Sequence, residues 1–425
     1  ETRSTSMRNP YYGQFVANKG VLSKSHGRSY NHNLQQLLTY SKAFGANEEH
    51  QLDLLLGHET YNLRSYSLGA VKSNVFSTDN LELNGAVVDM GNSSSSFGEY
   101  VNEGYFFRAM YEYDGRIFAS ASYRRDASSR FHPDHRWGNF WSVGAAWIIN
   151  RENWFNAPVF NMLKIKASVG SQGNDAIGMY LYTDLYSVTN DGQGGVSVLF
   201  GRKGNPNITW ETNTNINVGA EFGLWNDRLS GSVDLFYRLT SDMLFSVPVT
   251  PSLGYSSYYD NIGDMANYGV EVVLNGDVVR TKNVVWSINA NLTWVENRVL
   301  SLPDSRKDYT LNGHEGFING STGFIGEGLP LGYIYMVDYA GVSANGESQW
   351  WKKTVNEDTG KTEWVATTEY STVSSDLDSR KEFGSSMAKV FGGFGTTLYA
   401  YGFDLSIAFD YQLGGKTIDG AYAGY

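Results

Sequence analysis

The sequence contains no cysteine, only eight prolines and no long apolar run. A chain without cysteine forms neither a disulfide scaffold nor a thiolate metal site. No apolar stretch approaches the roughly 18 residues that predict a transmembrane helix. The first residues, ETRSTSMRNP, lack the basic and apolar segments of a signal peptide, as expected for a mature secreted chain or an internal fragment.

Positive charge is also scarce. The net charge is −11, with 33 Lys and Arg against 44 Asp and Glu in 425 residues, and no basic stripe stands out. Proteins that bind nucleic acid use such a stripe to neutralise phosphates. The composition therefore predicts no nucleic-acid partner.

Tyrosine, tryptophan and glycine are abundant by contrast. The chain has 29 Tyr, 11 Trp and 47 Gly. Tyrosine and tryptophan are typical of the interfacial girdles of membrane barrels. Glycine favours turns and bends in strands.

Strict alternation of apolar and polar residues recurs along the chain. In YGFDLSIAFDYQLGG (401–415), the row from Phe403 to Leu413 is apolar, and Asp404 and Asp410 belong to the opposite row. A period of two predicts a β-strand. Similar alternation occurs near residues 31–44, 49–60, 105–113, 117–124, 138–148, 162–170, 209–223, 230–242, 266–278, 284–298 and 388–399.

These segments predict about twelve strands of roughly 9–15 residues, longer than most strands of soluble proteins and long enough for tilted strands that cross a membrane. Tight turns are predicted at 44–50, 113–116, 224–229, 279–284 and 399–402. Long polar loops are predicted at 61–103, 126–137, 171–208, 242–265 and 297–387.

Short and long connections thus alternate, with 149–161 as the one poor fit. This order is typical of an outer-membrane barrel, which has short periplasmic turns and long extracellular loops. The sequence therefore predicts an all-β, transmembrane antiparallel β-barrel in the cell outer membrane.

If the strands form a transmembrane barrel, each row of side chains has a defined orientation. The Phe403 row is predicted to face lipid. The opposite row is predicted to face the lumen, where its residues either line a plug or a transit path or simply keep water inside. The residues predicted to face the lumen are Asn289, Asn291, Asp404 and Asp410.

Several stretches resemble one family, the SusC/RagA group of TonB-dependent outer-membrane transporters of Bacteroidetes. They include ASYRRDASSRFHPDHRWGNFWSVGAAW, LKIKASVGSQGND and NPNITWETNTNINVGAEFGLWNDRLSGSVDLFYRLTSDML. The six stretches that carry the resemblance, in family order, are 121–147, 163–175, 205–244, 261–275, 327–342 and 391–415.

The resemblance implies a 22-stranded barrel with an N-terminal plug and a TonB box. It also implies a SusD-like surface lipoprotein as a lid, and large substrates, oligosaccharides more often than peptides. This sequence departs from that pattern, because only about twelve strands are visible and neither the plug nor the TonB box is found in it. Residues 1–425 are accordingly expected to be part of a single barrel domain and to pair with the rest of their barrel.

The expected function is TonB-dependent active import of large nutrients. A passive porin-type channel and a surface glycan-binding barrel are the alternatives. An enzyme is not expected, because serine is abundant but no Gly-x-Ser-x-Gly elbow precedes a helix.

Loop aromatics are the candidate substrate contacts, since aromatic rings stack on sugar faces. Their alternative role is to pack the loops together or against the lid. These residues are Tyr255, Tyr258, Tyr259, Trp350 and Trp351.

No cofactor is predicted. His132, Asp134 and His135 in FHPDHRW have the residue types of a metal site, but Pro133 and the family resemblance favour a surface loop. The acidic stretches NEDTG (356–360) and SSDLDSR (374–380) offer the oxygen ligands that Ca²⁺ prefers, but they lack the spacing of an EF-hand, so solvated loops are favoured and calcium binding is the alternative.

Overall fold

The computed structural model describes residues 1–91, 93–249, 251–255, 257–357 and 359–419. Its main feature is an antiparallel sheet of 14 strands, 13 of which follow one another in chain order. We number these β1 (Thr2–Arg8), β2 (Val21–Phe44), β3 (His50–Val75), β4 (Ser94–Tyr113), β5 (Ile117–Ser128), β6 (Trp137–Ile148), β7 (Phe160–Asn174), β8 (Glu211–Leu224), β9 (Leu229–Ser241), β10 (Asp264–Arg280), β11 (Val284–Ser301), β12 (Ala388–Ala400) and β13 (Phe403–Gly414). The fourteenth, Ala86–Asp89, pairs with the end of β3.

Short and long connections alternate along this sheet, as predicted. The connection between β4 and β5 is a tight turn in which Asp114 and Gly115 both have positive φ, 50° and 62°. Asp-Gly suits this turn because Gly adopts the left-handed region without strain and Asp tolerates it. All the short connections lie at one end of the sheet, which we call the turn end; the other end is the loop end.

The connection at 149–161, which fitted the pattern poorly, also lies at the turn end. It starts with a 3₁₀ turn at Ile149–Arg151. Glu152 forms an ion pair at 3.0 Å with Arg116 of the neighbouring turn. The extra residues therefore pack onto the adjacent hairpin. This turn-end connection, 149–159, is longer than the loop-end connection at 129–136, so the predicted alternation of short and long connections fails at this one place.

The predicted loop at 61–103 is wrong in extent. β3 continues to Val75 and β4 begins at Ser94. β2 and β3 have 24 and 26 residues, more than twice the roughly 9–11 that cross a bilayer. Because one crossing needs far fewer residues, we expect the excess length at the loop end to extend beyond the membrane, where alternation is not needed.

The register assigns every strand two faces. Gly219 of β8 lies opposite Asp234 of β9, which lies opposite Glu271 of β10. On the other face, Leu405 and Phe409 of β13 are 53% and 54% exposed. Apolar rows thus cover the outer face, and polar rows share the inner face.

The sheet has two edges among the described strands. The last strand, β13, pairs only with β12. At the other edge, β1 covers only residues 21–27 of β2.

Short strands organise the loops. They are Leu185–Asn190 with Val196–Arg202, Leu244–Pro248 with Ser257–Asn261, a five-stranded sheet of Tyr309–Leu311, His314–Asn319, Gly323–Gly326, Tyr333–Val337 and Arg380–Ser385, and a three-stranded sheet of Tyr339–Val342, Ser348–Val355 and Thr362–Thr367. Helical turns are Val16–Asn18, Leu83–Gly85, Ile149–Arg151, Pro251–Leu253, Asp304–Arg306, the α-helix Tyr370–Ser374, and Leu377–Ser379. No helix in the described part of the chain is long and apolar enough to span a membrane.

Well-buried apolar clusters occur mainly at the loop end. One cluster joins Phe131, Leu181 and Ile208 to Trp210. A second joins Val299, Phe317 and Ile325. We call the segments 129–136, 175–210, 242–263 and 302–387 the loop layer.

Candidate functional site

The candidate site is a cleft of about 950 Å³ on the inner face of the sheet. Its lining residues come from every strand from β3 to β10 in the main sheet order, so the sheet curves around it. The charged and amide residues of the lining are Asp53, Glu112, Lys166, Asn215, Asn217, Asp234, Arg238, Asn267 and Glu271.

Lys166 lies at the centre of the charge arrangement. Its Nζ is 2.9 Å from Asp234 Oδ1 and 3.0 Å from Glu221 Oε1. Lys164 reaches the other oxygen of Glu221 at 3.3 Å. Gly219 leaves room for the contact between Lys166 and Asp234, because a side chain at position 219 would meet both residues. We call the main sheet the wall. The positive and negative charges of the wall therefore balance where β7, β8 and β9 meet.

Other cleft groups keep free hydrogen-bonding capacity. Arg238 donates from Nε to Asn215 Oδ1 at 2.8 Å. Glu271, also in the lining, makes no ion pair or side-chain hydrogen bond within the described part of the chain. Such groups bind hydroxyl, amide or charged groups of a polar molecule.

The four residues predicted to face the lumen lie on the same face as the cleft but outside its lining. Asn289 and Asn291 share a face with Glu271 through the register of β10 and β11. Asn291 accepts the backbone N–H of Gly393 at 3.0 Å. Asp404 and Asp410 share that face in β13. Whether they border a transit path stays a prediction.

The three loop tyrosines lie near one hairpin and have different surroundings. Tyr259 packs against the cluster that contains Phe131. Tyr255 lies 6.0 Å from the Phe200 ring. Burial, and secondarily the nearby Asp260 carboxylate, raises the pKa of Tyr258. Tyr259 therefore has a packing role, and substrate contact by Tyr255 or Tyr258 stays a prediction.

The two tryptophans lie in the three-stranded sheet of the loop layer. Trp350 packs against Tyr370, with ring centroids 5.0 Å apart. Lys381 Nζ lies 5.1 Å from the Trp351 ring and 4.7 Å from the Trp364 ring. Both tryptophans thus have protein partners, and neither lines the cleft. Their contact with substrate stays a prediction.

The loop segments are also joined to each other. The Arg306 guanidinium lies 4.1 Å from the Phe317 ring and 5.6 Å from the Phe245 ring. It donates to the backbone oxygen of Ser246 at 3.2 Å. Burial lowers the pKa of Arg306. This contact fastens 242–263 to 302–387.

The residues whose types suit a metal site, His132, Asp134 and His135, do not form a metal-binding cluster in the described part of the chain. His132 and Asp134 approach to 3.4 Å, but the described residues contain no group of three or more metal-ligating side chains. In the acidic stretches, Asp376 accepts from Ser379 Oγ at 2.6 Å and caps the following turn. Asp358 lies outside the described residues. Calcium binding in the loops stays a prediction.

Sequence reasoning missed the pairing of Lys166 with Glu221 and Asp234. The signal was present in LKIKASVG, where Lys164 and Lys166 alternate with Leu163, Ile165 and Ala167. The parity placed both lysines on the polar face, but the residues opposite them depend on the strand register.

Comparison with known proteins decides the family. Residues 2–421 match the family described as TonB dependent receptor-like, beta-barrel. The chain belongs to this TonB-dependent receptor family. The membership agrees with the apolar outer rows and places the sheet in the outer membrane as part of a transmembrane β-barrel.

Individual relatives agree with the family. The chain is 28% identical to TonB-dependent receptor P3 of Formosa agariphila, over 91% of this chain and 39% of that receptor. It is 30% identical to TonB-dependent receptor SusC of Bacteroides thetaiotaomicron, over 70% of this chain and 29% of SusC. The RagAB peptide transporter superposes with a TM-score of 0.80 and 28% identity, over 96% of this chain and 44% of that chain. The chain thus spans less than half the length of these relatives, and its resemblance to SusC and RagA is confirmed.

Proposed function

We propose that the transporter containing this chain actively imports large polar nutrients, with oligosaccharides as the first substrate class. TonB supplies the energy, and a SusD-like surface lipoprotein delivers the substrate. The observation that carries the proposal is the polar cleft on the inner face of a TonB-dependent receptor wall. Free groups such as Glu271 and Arg238 in that cleft suit the hydroxyls of a glycan.

A peptide is the second candidate substrate. The cleft contains both acidic and basic side chains, which complement the termini and side chains of a peptide. The structural likeness to the RagAB peptide transporter supports the same candidate.

We also propose that further strands of the same transporter pair with β13 and with the free edge of β2. Open sheet edges are not tolerated in the hydrocarbon of a bilayer, because their N–H and C=O groups find no partner there. This proposal treats the chain as one part of a larger closed barrel.

The energised mechanism is tested by uptake. Cells expressing the full-length transporter receive labelled oligosaccharides or peptides, with TonB present or deleted. We expect uptake to require TonB. Equal uptake without TonB supports a passive porin and contradicts the proposal, and surface binding with no uptake supports the glycan-binding barrel instead.

The substrate class is tested by charge removal in the cleft. Glu271→Gln is expected to weaken binding of a cationic peptide about tenfold, as for one charge-assisted contact, and to change binding of a neutral oligosaccharide far less. Asp404→Asn, which removes a charge from the inner face outside the cleft, is the matched control. Binding to the purified full-length transporter is measured calorimetrically.

A further inference from the structure

Two adjacent arginines in β5 have opposite surroundings. Arg124 faces inward, where its Nε lies 2.7 Å from Asp126 Oδ1 and its guanidinium lies 3.3 Å from Glu59. Arg125 faces outward, since the side chains of neighbouring residues in a strand point to opposite faces. The inner arginine is thus paired with two carboxylates.

Arg125 has no such partner. It lies between Tyr105 of β4 and Asn139 of β6. Its guanidinium lies 5.1 Å from the centre of the Trp137 ring. Within the described ranges it makes no ion pair with a carboxylate.

The nearest acidic residue in the register is already engaged. Glu103, one position diagonal to Arg125, accepts from the Tyr105 hydroxyl at 2.8 Å and contacts His58 Nε2 at 3.3 Å. The Glu103 carboxylate is therefore engaged by Tyr105 and His58, and Arg125 forms no ion pair on the outer face within the described residues.

The position along β5 places Arg125 near the membrane surface. The strand begins at Ile117 beside a tight turn, and Arg125 follows after about one bilayer crossing, roughly 9–11 residues for a tilted strand. Exposed outer-face aromatics surround it at this level: Tyr105, Tyr123, Trp137 and Trp141. Such a group is typical of the girdle at the headgroup level.

We propose that Arg125 and Trp137 form a binding site for the phosphate of an anionic membrane lipid. An unpaired arginine at the headgroup level is attracted to anionic lipids, because their negative charges lie at the same depth. The planar guanidinium binds phosphate through two parallel hydrogen bonds. The indole N–H of Trp137, which makes no hydrogen bond within the described residues, is available as a further donor.

The site is tested on the full-length transporter purified from outer membranes. Binding of phosphorylated lipid A is measured by native mass spectrometry for the wild type and for Arg125→Gln. We expect about tenfold weaker binding, the usual effect of losing one charge-assisted contact. Arg108→Gln is the matched control, because Arg108 is an exposed arginine on the inner face of the neighbouring strand.

Two further variants separate the contribution of the Arg125 guanidinium from that of the Trp137 ring. Arg125→Lys keeps the charge but loses the bidentate geometry, so binding intermediate between the wild type and Arg125→Gln is expected. Trp137→Leu keeps the arginine and removes the ring, which is expected to weaken binding about two- to fivefold, as for one exposed cation–π contact.

Three results overturn the proposal. One is equal loss of binding in Arg125→Gln and Arg108→Gln. Another is equal binding of dephosphorylated lipid A by the wild type, which means that the phosphate is not recognised. The third is displacement of the lipid by inorganic phosphate at the same concentration, which assigns the site to a free anion. If Arg125→Gln does not reach the membrane, Arg125→Lys and Trp137→Leu decide between the same outcomes.

Discussion

Phe131 in the loop layer and Phe409 in β13 carry the same side chain in opposite surroundings. Phe131 is fully buried in a cluster with Trp210, whereas 54% of Phe409 is exposed on the outer face of the wall. The loop layer is built like a small soluble protein, with apolar side chains inside. The wall has its apolar side chains outside, because its solvent there is lipid.

The comparison teaches where each region obtains its stability. In the wall, the backbone hydrogen bonds between strands satisfy every strand from both sides except at the edges. In the loop layer, burial of apolar side chains offsets the conformational entropy that the long connections lose when they become ordered. The same substitution should therefore have different effects in the two regions.

The largest expected effect is the loss of an aromatic ring from the loop layer. Phe131→Ala is expected to cost about 3–5 kcal/mol of local stability, as for other buried aromatic residues. The measurement is hydrogen exchange of the segment 129–136 in the full-length transporter. Phe409→Ala is the control and is expected to leave that segment protected; equal exposure in both variants contradicts the comparison.

The next effect concerns the outer row of the wall. Val218→Arg places a charge in the lipid-facing row and is expected to cost about 2–4 kcal/mol near the bilayer midplane. Asn217→Arg introduces the same side chain one residue away, in the polar cleft, where the change is expected to stay within about 0.5 kcal/mol.

Unfolding of the transporter from lipid vesicles in urea measures both free energies. A larger loss of unfolding free energy for Asn217→Arg than for Val218→Arg would contradict the assignment of the inner and outer faces.

A smaller effect is expected where the two regions meet. Asp175 at the start of a loop accepts from Tyr100 at 2.8 Å and from Ser128 at 2.6 Å, and it lies 3.6 Å from Arg130. Asp175→Asn is expected to lower the local free energy of opening by about 1–3 kcal/mol, because these donors lose a charged acceptor. Proteolysis of the loop layer measures it, with Asp134→Asn as an exposed control that should change nothing.

The smallest effect is a pH dependence confined to the loop layer. Lys307 lies 2.9 Å from Glu327 and lowers the pKa of that carboxyl. Stability from this pair is present above the ordinary carboxyl pKa of 4.5 and is lost as the pH falls through the lower pKa of the folded state. Hydrogen exchange of 302–387 below pH 4.5 follows this loss. Glu327→Gln should remove that pH dependence, and an unchanged profile in this variant rules out the assignment.

The sequence predicted the wall well inside the membrane and poorly above it. Between lipid and lumen every second residue must be apolar. Apolar rows such as Phe403 to Leu413 therefore predict both the strand and its lipid-facing side. At the loop end, where we expect β3 and β4 to extend beyond the membrane, serine-rich stretches such as Ser94–Ser96 show no alternation. The loop at 61–103 was therefore predicted too long.

The site was less accessible to sequence reasoning. Parity placed Lys166 on the polar face, but its contact with Asp234 depends on a register between strands that are far apart in sequence. Likewise, the composition of the loops did not reveal that Tyr259 packs into a buried cluster. Contacts between distant segments are set by tertiary packing, which no local pattern contains.

The orientation of the rows is tested most directly by spin labels in a chain that has no cysteine of its own. Leu405→Cys and Ile407→Cys are compared with Asp404→Cys and Asp410→Cys in the full-length transporter reconstituted into bilayers. We predict that labels at 405 and 407 collide mainly with oxygen dissolved in the lipid, and that labels at 404 and 410 are relaxed only by a water-soluble nickel chelate or stay shielded from both. Oxygen-rich environments at 404 and 410, with chelate access at 405 and 407, would contradict the account.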